Sequence, residues 1–235
     1  VTADNMMILC RDYEKANQLS QMHEGRFFSD PRLCVQEADL HILAVKPQDS
    51  PKLFEEIRDL VQPGQVFLSI MAGVRLATIT KSLGAEKVIR AMPNLPAQIG
   101  AGVTAFTSTD AVTRIELVMV QNLLSTTGKT IYVEKEELID ASTAISGSGP
   151  AYVYYFMEAM MEAAQRMGFS PSEAELLVSQ TFTGAVDLYN RTDLTCADWI
   201  AKVSSKGGTT EAALRIFRET TLHDDIIAGA DAAFE

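Results

Sequence analysis

The pattern of apolar and polar residues divides the chain into a first part with strands and helices and a second part with helices alone. Over residues 1–133, short apolar runs alternate with stretches in which apolar residues recur every three or four positions. These patterns predict buried strands and amphipathic helices, respectively. Strands are predicted at residues 6–10, 27–28, 40–45, 65–70, 87–92, 102–106 and 130–133, and helices at residues 12–22, 51–61, 75–83 and 110–125. Apolar strands separated by helices are typical of a parallel sheet covered on both faces, which predicts a Rossmann-like α/β domain.

Beyond residue 133 every predicted element is a helix. Helices are expected at residues 136–145, 151–167, 171–189 and 197–203, followed by two more. The third begins with the capping-box spacing of Ser170 and Glu173. The two longest carry aromatic, methionine and small side chains, and a helical domain this small with so much apolar surface is expected to complete its core by dimerising. The sequence therefore predicts a Rossmann-like domain at residues 1–134 and an all-α dimerisation domain at residues 135–235.

Composition narrows the classes of partner. The net charge of −11 and the isoelectric point near 4.8 argue against nucleic-acid binding, which needs clustered cations. No apolar run reaches the length of about 18 residues that a membrane span needs, so no membrane partner is predicted. The three cysteines are odd in number and widely spaced, which favours a reducing, cytoplasmic setting.

No metal site is predicted, because His23, His41 and His223 share no ligand spacing and the cysteines form no CxxC pair. His41 lies within an apolar strand pattern. We therefore expect it to be a core histidine whose hydrogen bonds are satisfied.

Candidate ligand-binding residues follow the predicted strands. In doubly wound sheets, ligands bind beyond the carboxyl ends of the strands. Those ends carry Arg11, Lys46-Pro47, residues 71–73 and the proline-flanked Asn94. Arg11 suits the 2′-phosphate of NADP, whereas a carboxylate at this point would suit NAD. We expect NADPH as the cofactor, with NADH as the alternative and a plain surface role for Arg11 left open.

One feature of a Rossmann domain is missing from the sequence. Such a domain normally opens with a strand, a G-x-G-x-x-G turn and a helix, and this chain contains no such turn. The strand at residues 6–10 is therefore expected to be the second of the order 3-2-1-4-5-6, with the central strand absent. We expect the sequence to be a fragment, with about 25 residues upstream. The helical pattern at residues 226–234 stops without a cap, so we expect the sequence to be truncated at its C-terminal end as well.

A glycine- and threonine-rich segment, residues 203–214, leads into a predicted helix near the end of the sequence. Two glycines and two threonines stand directly before the apolar positions of that helix, which are Ala212, Ala213, Ile216 and Phe217. The first amides of a helix have no intrahelical acceptor and lie at the positive end of its dipole, so a carboxylate or phosphate fits there. The alternative is an ordinary capped helix after a flexible loop.

Five short motifs occur in a distinctive order and spacing. They are Leu43-Ala44-Val45-Lys46-Pro47, Ser69-Ile70-Met71-Ala72-Gly73, Arg90-Ala91-Met92-Pro93-Asn94, Ser146-Gly147-Ser148-Gly149-Pro150-Ala151-Tyr152 and the segment from Ser205 to Thr210. Together they resemble the pyrroline-5-carboxylate reductase family. The resemblance implies reduction of the cyclic imine 1-pyrroline-5-carboxylate to L-proline by hydride from NAD(P)H, the last step of proline biosynthesis. It also implies a homodimer, often within a larger ring.

The resemblance implies a role for each motif. The substrate carboxylate would lie on the segment of Ser205, Gly207, Gly208, Thr209 and Thr210, with the Thr210 hydroxyl at the ring nitrogen as the catalytic group. The cofactor, besides its contact with Arg11, would be lined by Ala44, Val45, Lys46, Pro47, Ile70, Met71, Ala72 and Asn94, with Asn94 near the nicotinamide. The second domain would thus also bind substrate.

The sequence departs from the family at three places. The family usually has proline where this chain has Lys206, often has asparagine where this chain has Asp30-Pro31, and has the glycine-rich turn that is missing here. Two other interpretations remain open. One is a 3-hydroxyacid-dehydrogenase-like enzyme, which would need a lysine in mid-helix, whereas Lys202 and Lys206 lie at or in the terminal loop. The other is a catalytically inactive dimeric scaffold of the same fold.

Overall fold

The structure, a computed structural model, describes residues 3–10, 12–22 and 25–234. The chain forms two compact units, Val1–Gly147 and Ser148–Glu235. The division falls later than the predicted boundary at residues 134 and 135. The helix that follows the last strand packs on two strands of the first unit, so it belongs to that unit.

The first unit contains the predicted strands, with ends shifted by no more than two residues. They are β1 (Met7–Leu9), β2 (Arg26–Phe28), β3 (Leu40–Leu43), β4 (Val66–Ser69), β5 (Lys87–Met92), β6 (Gly102–Ser108) and β7 (Gly128–Tyr132). Strands β1 and β2 form a parallel pair, and β3 to β7 form a five-stranded sheet in sequential order. The described residues supply no strand that pairs with both β1 and β3. The Rossmann-like fold class is confirmed.

One pair in the larger sheet is antiparallel. Strands β5 and β6 run in opposite directions, whereas the other neighbours are parallel. The connection between them is short and holds only a 3₁₀ turn at Leu95–Ile99. A parallel return needs a crossover of a dozen or more residues, so the chain can only double back here.

The described residues of the first unit form six α-helices. They are α1 (Tyr13–Met22), α2 (Arg32–Val35), α3 (Ser50–Ile57), α4 (Leu76–Leu83), α5 (Arg114–Ser125) and α6 (Glu137–Ser142). A π-helical turn, Thr143–Gly147, follows α6. The family resemblance implies a short helix near Cys34, which is α2, although the apolar pattern alone does not indicate it. The pattern missed the π-helical turn, and it began α5 too early, because a capping box of Thr113 and Glu116 fixes the true start.

The apolar core lies on both faces of the five-stranded sheet. Successive residues of β4 point to opposite faces, so Phe67 joins one cluster and Leu68 the other. Helices α3 and α4 close the first cluster and α5 closes the second. The burial of β4 on both faces explains its three successive apolar residues, Val66 to Leu68.

His41 on β3 is partly buried, as predicted, but its hydrogen bonding is not complete. Its ring stacks on Phe67 with centroids 4.6 Å apart. Its Nε2 atom is buried and has no partner in the part of the chain that the structure describes. Burial lowers the pKa of His41 below its usual value of 6.5, because the protonated ring loses hydration.

The second unit consists of helices with almost no core of its own. They are α7 (Gly149–Arg166), α8 (Pro171–Tyr189), α9 (Cys196–Val203), α10 (Thr209–Glu219) and α11 (Leu222–Phe234). Within residues 148–234 only Ala174 and Val178 are buried apolar side chains. Large apolar residues of α7 and α8 are exposed, including Tyr155 at 73% and Leu176 at 67%. Among the described residues, no helix is long and apolar enough to cross a membrane.

We predict that His41 makes the first unit less stable in mild acid. Because its pKa is lowered in the folded state, the unfolded chain binds more protons below about pH 6.5, and the stability present above that pH is lost as the pH falls. The substitution His41→Phe keeps a ring against Phe67 but cannot titrate. Thermal unfolding between pH 7 and pH 5 should show a smaller drop in midpoint for the variant, and equal drops would contradict the prediction.

Candidate active site

The loop between α9 and α10 needs its two glycines for different reasons. Gly207 has φ +75°, in the left-handed region that side chains disfavour. Gly208 has an ordinary φ, but a Cβ there would lie 2.5 Å from Ser205 Oγ and 3.0 Å from Ser205 O. The same close approach lets the Gly208 amide donate to the Ser205 carbonyl at 3.0 Å. The loop is therefore a tight turn in which Gly207 takes a left-handed backbone and Gly208 has no room for a Cβ unless Ser205 moves.

The start of α10 presents amide donors. Gly208 is the N-cap residue and has no side chain to accept from the helix. The amides of Thr209 and Thr210 have no acceptor among the described residues. The side chain of Thr210 is half-buried, whereas Ser205 and Thr209 are exposed. The donors of the predicted carboxylate-binding residues thus lie within one turn of chain.

A carboxylate already contacts this loop. The Gly207 amide donates to Glu211 Oε2 at 2.6 Å. Glu211 was not among the predicted site residues, although a glutamate at the third position of a helix is the usual partner in a capping box and could have indicated it. The contact demonstrates that the loop can accommodate a carboxylate oxygen at hydrogen-bond distance.

The two lysines near the loop differ in their surroundings. Lys202 lies in the last turn of α9 with Nζ 5.2 Å from the centre of the Trp199 ring, a cation–π contact. Lys206 is exposed within the loop. Neither lies in mid-helix, so the arrangement does not match the lysine that a 3-hydroxyacid dehydrogenase needs.

Two of the predicted cofactor segments follow neighbouring parallel strands, β3 and β4, and so lie at the same edge of the sheet. After β3, Ala44 and Lys46 are exposed and Val45 packs on the core. After β4, Met71 is buried as a whole residue, only 2% exposed, and its amide donates to Ser69 Oγ at 3.3 Å. Met71 therefore packs below this edge, and Ala44 and Lys46 are the exposed residues there. An edge at adjacent carboxyl ends is where a doubly wound sheet binds a dinucleotide.

The remaining residues of these segments complete the same edge. Pro47 begins a 3₁₀ turn and is exposed, and Ile70 and Ala72 are partly buried. Arg11, the predicted ligand of the 2′-phosphate, lies outside the described residues. Asp30, one of the departures from the family, accepts hydrogen bonds from the Arg32 side chain and amide, which lowers the pKa of its carboxyl group.

The side chain of Asn94 bonds to the protein through both of its polar atoms. Its Nδ2 donates to the Ser146 carbonyl at 3.1 Å, and its Oδ1 accepts from the Val103 amide at 2.9 Å. It thereby ties the turn after β5 to the start of β6 and to the π-helical turn. One N–H of the amide is left for a ligand.

Arg90, Glu136 and Asp140 form an ion-pair cluster in the first unit that the sequence motifs do not indicate. Arg90 on β5 is only 1% exposed, and its Nη atoms lie 3.1 Å from Glu136 Oε1 and 2.5 Å from Asp140 Oδ1. Its Nε is buried without a partner in the described part of the chain. An arginine inside an otherwise apolar strand was the available signal, because a buried charge needs a partner.

The described residues hold no group of three or more histidine, cysteine or carboxylate side chains that could bind a metal. The three cysteines, Cys10, Cys34 and Cys196, are free thiols, and burial raises the pKa of Cys34.

Comparisons with known proteins match both parts of the chain. The family model described as pyrroline-5-carboxylate reductase dimerisation matches residues 136–235, and the one described as NADP oxidoreductase, coenzyme F420-dependent, matches residues 1–73. Pyrroline-5-carboxylate reductase 2 of Bacillus subtilis is 35% identical over 91% of this chain and 77% of its own length. The reductase of Aquifex aeolicus is 35% identical over 92% of this chain and 80% of its own length.

Solved structures agree. The pyrroline-5-carboxylate reductase of Coxiella burnetii superimposes with a TM-score of 0.91 at 31% identity, covering 99% of this chain and 87% of its own. The pyrroline carboxylate reductase of Plasmodium falciparum, solved with NADP bound, superimposes with a TM-score of 0.88 at 24% identity. The match covers 99% of this chain and 86% of that chain, and it supports the fold. The reductases of Bacillus subtilis, Aquifex aeolicus and Coxiella burnetii are 31–35% identical to this protein, over at least 91% of this chain and at least 77% of their own chains. The protein therefore belongs to the pyrroline-5-carboxylate reductase family.

Proposed function

We propose that this protein reduces 1-pyrroline-5-carboxylate to L-proline with hydride from NADPH. The observation that carries the proposal is the start of α10, where the amides of Thr209 and Thr210 have no acceptor among the described residues and the nearby Gly207 amide donates to a carboxylate oxygen. The substrate carries a carboxylate, which such a helix start attracts through its amides and its dipole. Membership of the reductase family supports the same substrate.

We propose that the loop holds and orients the substrate. The amides of Gly207, Gly208, Thr209 and Thr210, with the Ser205 hydroxyl, would take the carboxylate. This requires the Glu211 side chain to leave Gly207 and the Gly208 amide to turn from the Ser205 carbonyl to the substrate. The Thr210 hydroxyl would hydrogen-bond the ring nitrogen and stabilise its protonated form. Protonation of the ring nitrogen makes the imine carbon a better hydride acceptor than it is in the neutral imine, so this contact favours the reaction.

The cofactor would be held at the strand ends of the first unit. Ala44 to Pro47 and Ile70 to Ala72 would line it, Arg11 would bind the 2′-phosphate, and the free N–H of Asn94 would contact the nicotinamide. The cofactor supplies the hydride, so no nucleophile or metal is required of the protein. NADPH is preferred to NADH because of Arg11 and because the first unit matches a family of NADP oxidoreductases.

We further propose a homodimer formed through the second unit, with a larger ring as an extension of it. The dimer is supported by the near absence of buried apolar side chains from residues 148–234 and by the dimerisation family that matches this part of the chain. A cytoplasmic location is proposed on the free cysteines.

The first prediction concerns Thr210. Thr210→Ala should reduce kcat/KM for the imine about 10- to 1000-fold, as is typical for the loss of one positioned polar group. Thr210→Ser keeps the hydroxyl and should retain most activity. Thr220→Ala, at the other end of α10, is the matched control. NADPH oxidation measured with 1-pyrroline-5-carboxylate checks the series, and a wild-type rate for Thr210→Ala would refute the role.

The second prediction concerns Gly208. Gly208→Ala places a Cβ against Ser205 and should distort the loop, lowering kcat/KM about tenfold or more. Gly229→Ala in α11 meets no atom within 4 Å and serves as the control. Steady-state kinetics and far-UV circular dichroism should show a kinetic defect in a folded protein for Gly208→Ala alone. Equal kinetics for the two variants would count against the loop.

The third prediction concerns assembly. Leu176→Glu, on the exposed apolar surface of α8, should convert the dimer into monomer, because a carboxylate would be buried without a partner. Ile115→Glu, on the 83% exposed Ile115 of the first unit, should leave the mass unchanged. Light scattering after size-exclusion chromatography measures the mass, and a dimeric Leu176→Glu protein would argue for a different interface.

A further inference from the structure

Arg90 connects three elements of the first unit. Its guanidinium bridges from β5 to Glu136 and Asp140 at the start of α6 and within it. Glu136 Oε1 also accepts the amide of Leu76 at 2.7 Å, and Leu76 is the first residue of α4. Strand β5 and the starts of two helices therefore share one carboxylate.

Each of the three connected elements adjoins a proposed cofactor segment or contacts one. Helix α4 begins directly after the loop that contains Ile70 to Ala72. Strand β5 leads, four residues after Arg90, to Asn94. Helix α6 runs into the π-helical turn, whose Ser146 carbonyl accepts from Asn94 Nδ2 at 3.1 Å. The cluster thus fixes both segments to the same helix.

The geometry needs an arginine. Its planar fork reaches two carboxylates from one buried site, which a single ammonium cannot do with the same fixed directions. Because the guanidinium is almost fully buried, losing either carboxylate removes one of its two charged partners and leaves one arm of the fork without its charged acceptor. The strand and the helix would then shift to restore hydration or pairing.

We propose that Arg90, acting through Glu136, is a positioning residue for the dinucleotide: it sets the relative placement of the loop after β4 and the turn after β5. This inference rests on the proposed function, because it takes these two segments to line NADPH. Arg90 itself touches neither cofactor nor substrate in this scheme. Its effect is on the affinity for NADPH and not on the affinity for the imine.

The same strand offers a matched control. Lys87, also on β5, pairs with Glu116 at 2.6 Å, and Glu116 accepts the Thr113 amide at the start of α5 at 2.8 Å. Both glutamates therefore join a β5 cation to a helix start, and their side chains are similarly exposed, 22% for Glu136 and 20% for Glu116. Only the Glu136 pair leads to the cofactor segments.

The test compares Glu136→Gln with Glu116→Gln, using the quenching or enhancement of NADPH fluorescence on binding to the full chain. Glu136→Gln keeps an oxygen for the Leu76 amide but removes the charge that faces Arg90. Its Kd for NADPH should rise about tenfold, as expected when a ligand site is displaced by a remote change. Glu116→Gln should change the Kd less than about twofold, a small effect of a change remote from the site. Arg90→Lys should weaken binding at least as much as Glu136→Gln.

Steady-state kinetics give a second readout, because KM for NADPH should rise in Glu136→Gln while KM for the imine stays constant. Equal Kd values for wild type and Glu136→Gln would overturn the inference and leave the proposed function standing. Equal losses in both glutamine variants would also overturn it, since the effect would then be a general one of strand β5. A wild-type chain that binds no NADPH would overturn the proposed function, and the inference with it.

Discussion

The ion pairs of one buried guanidinium join β5 to α6 and, through Glu136, to the start of α4. Arg90 could not be buried without Glu136 and Asp140, and these carboxylates come from a helix that the sequence pattern assigns to the other domain. Their pairing explains why α6 and the π-helical turn belong to the first unit. It also explains why Asn94 finds its carbonyl partner in that turn and not in a neighbouring strand.

Each unit contains a carboxylate bonded to an amide at or just before the start of a helix. In the first unit the amide of Leu76 donates to the carboxylate of Glu136. In the second unit the amide of Gly207, just before α10, donates to the exposed Glu211, and the amides of Thr209 and Thr210 have no acceptor among the described residues. The first contact is built into the fold, whereas the second is on the surface and can exchange for a carboxylate from solution.

The sequence predicted the elements better than their connections. Strand β4 was predictable because burial on both faces leaves successive apolar residues without alternation, and α8 because Ser170 and Glu173 form the capping box that their spacing indicates. The glycine loop could be located, and the need for Gly207 and Gly208 follows from backbone geometry. The antiparallel β6 depends on the length of a connection, and the partners of Arg90 lie 46 and 50 residues away. Local patterns carry no information on contacts at such distances. The apolar pattern around His41 places it in the core, but only the packing decides which atoms its Nε2 contacts. The expectation that its hydrogen bonds are satisfied is wrong for this reason.

The nearly coreless helices of the second unit have a consequence for how the chain becomes stable. With Ala174 and Val178 as the only buried apolar side chains among residues 148–234, a single copy gains little free energy from folding this region. In the proposed dimer, folding and association would be one equilibrium, and its position would follow the law of mass action. The melting temperature of this protein would then be a property of its concentration as much as of its sequence.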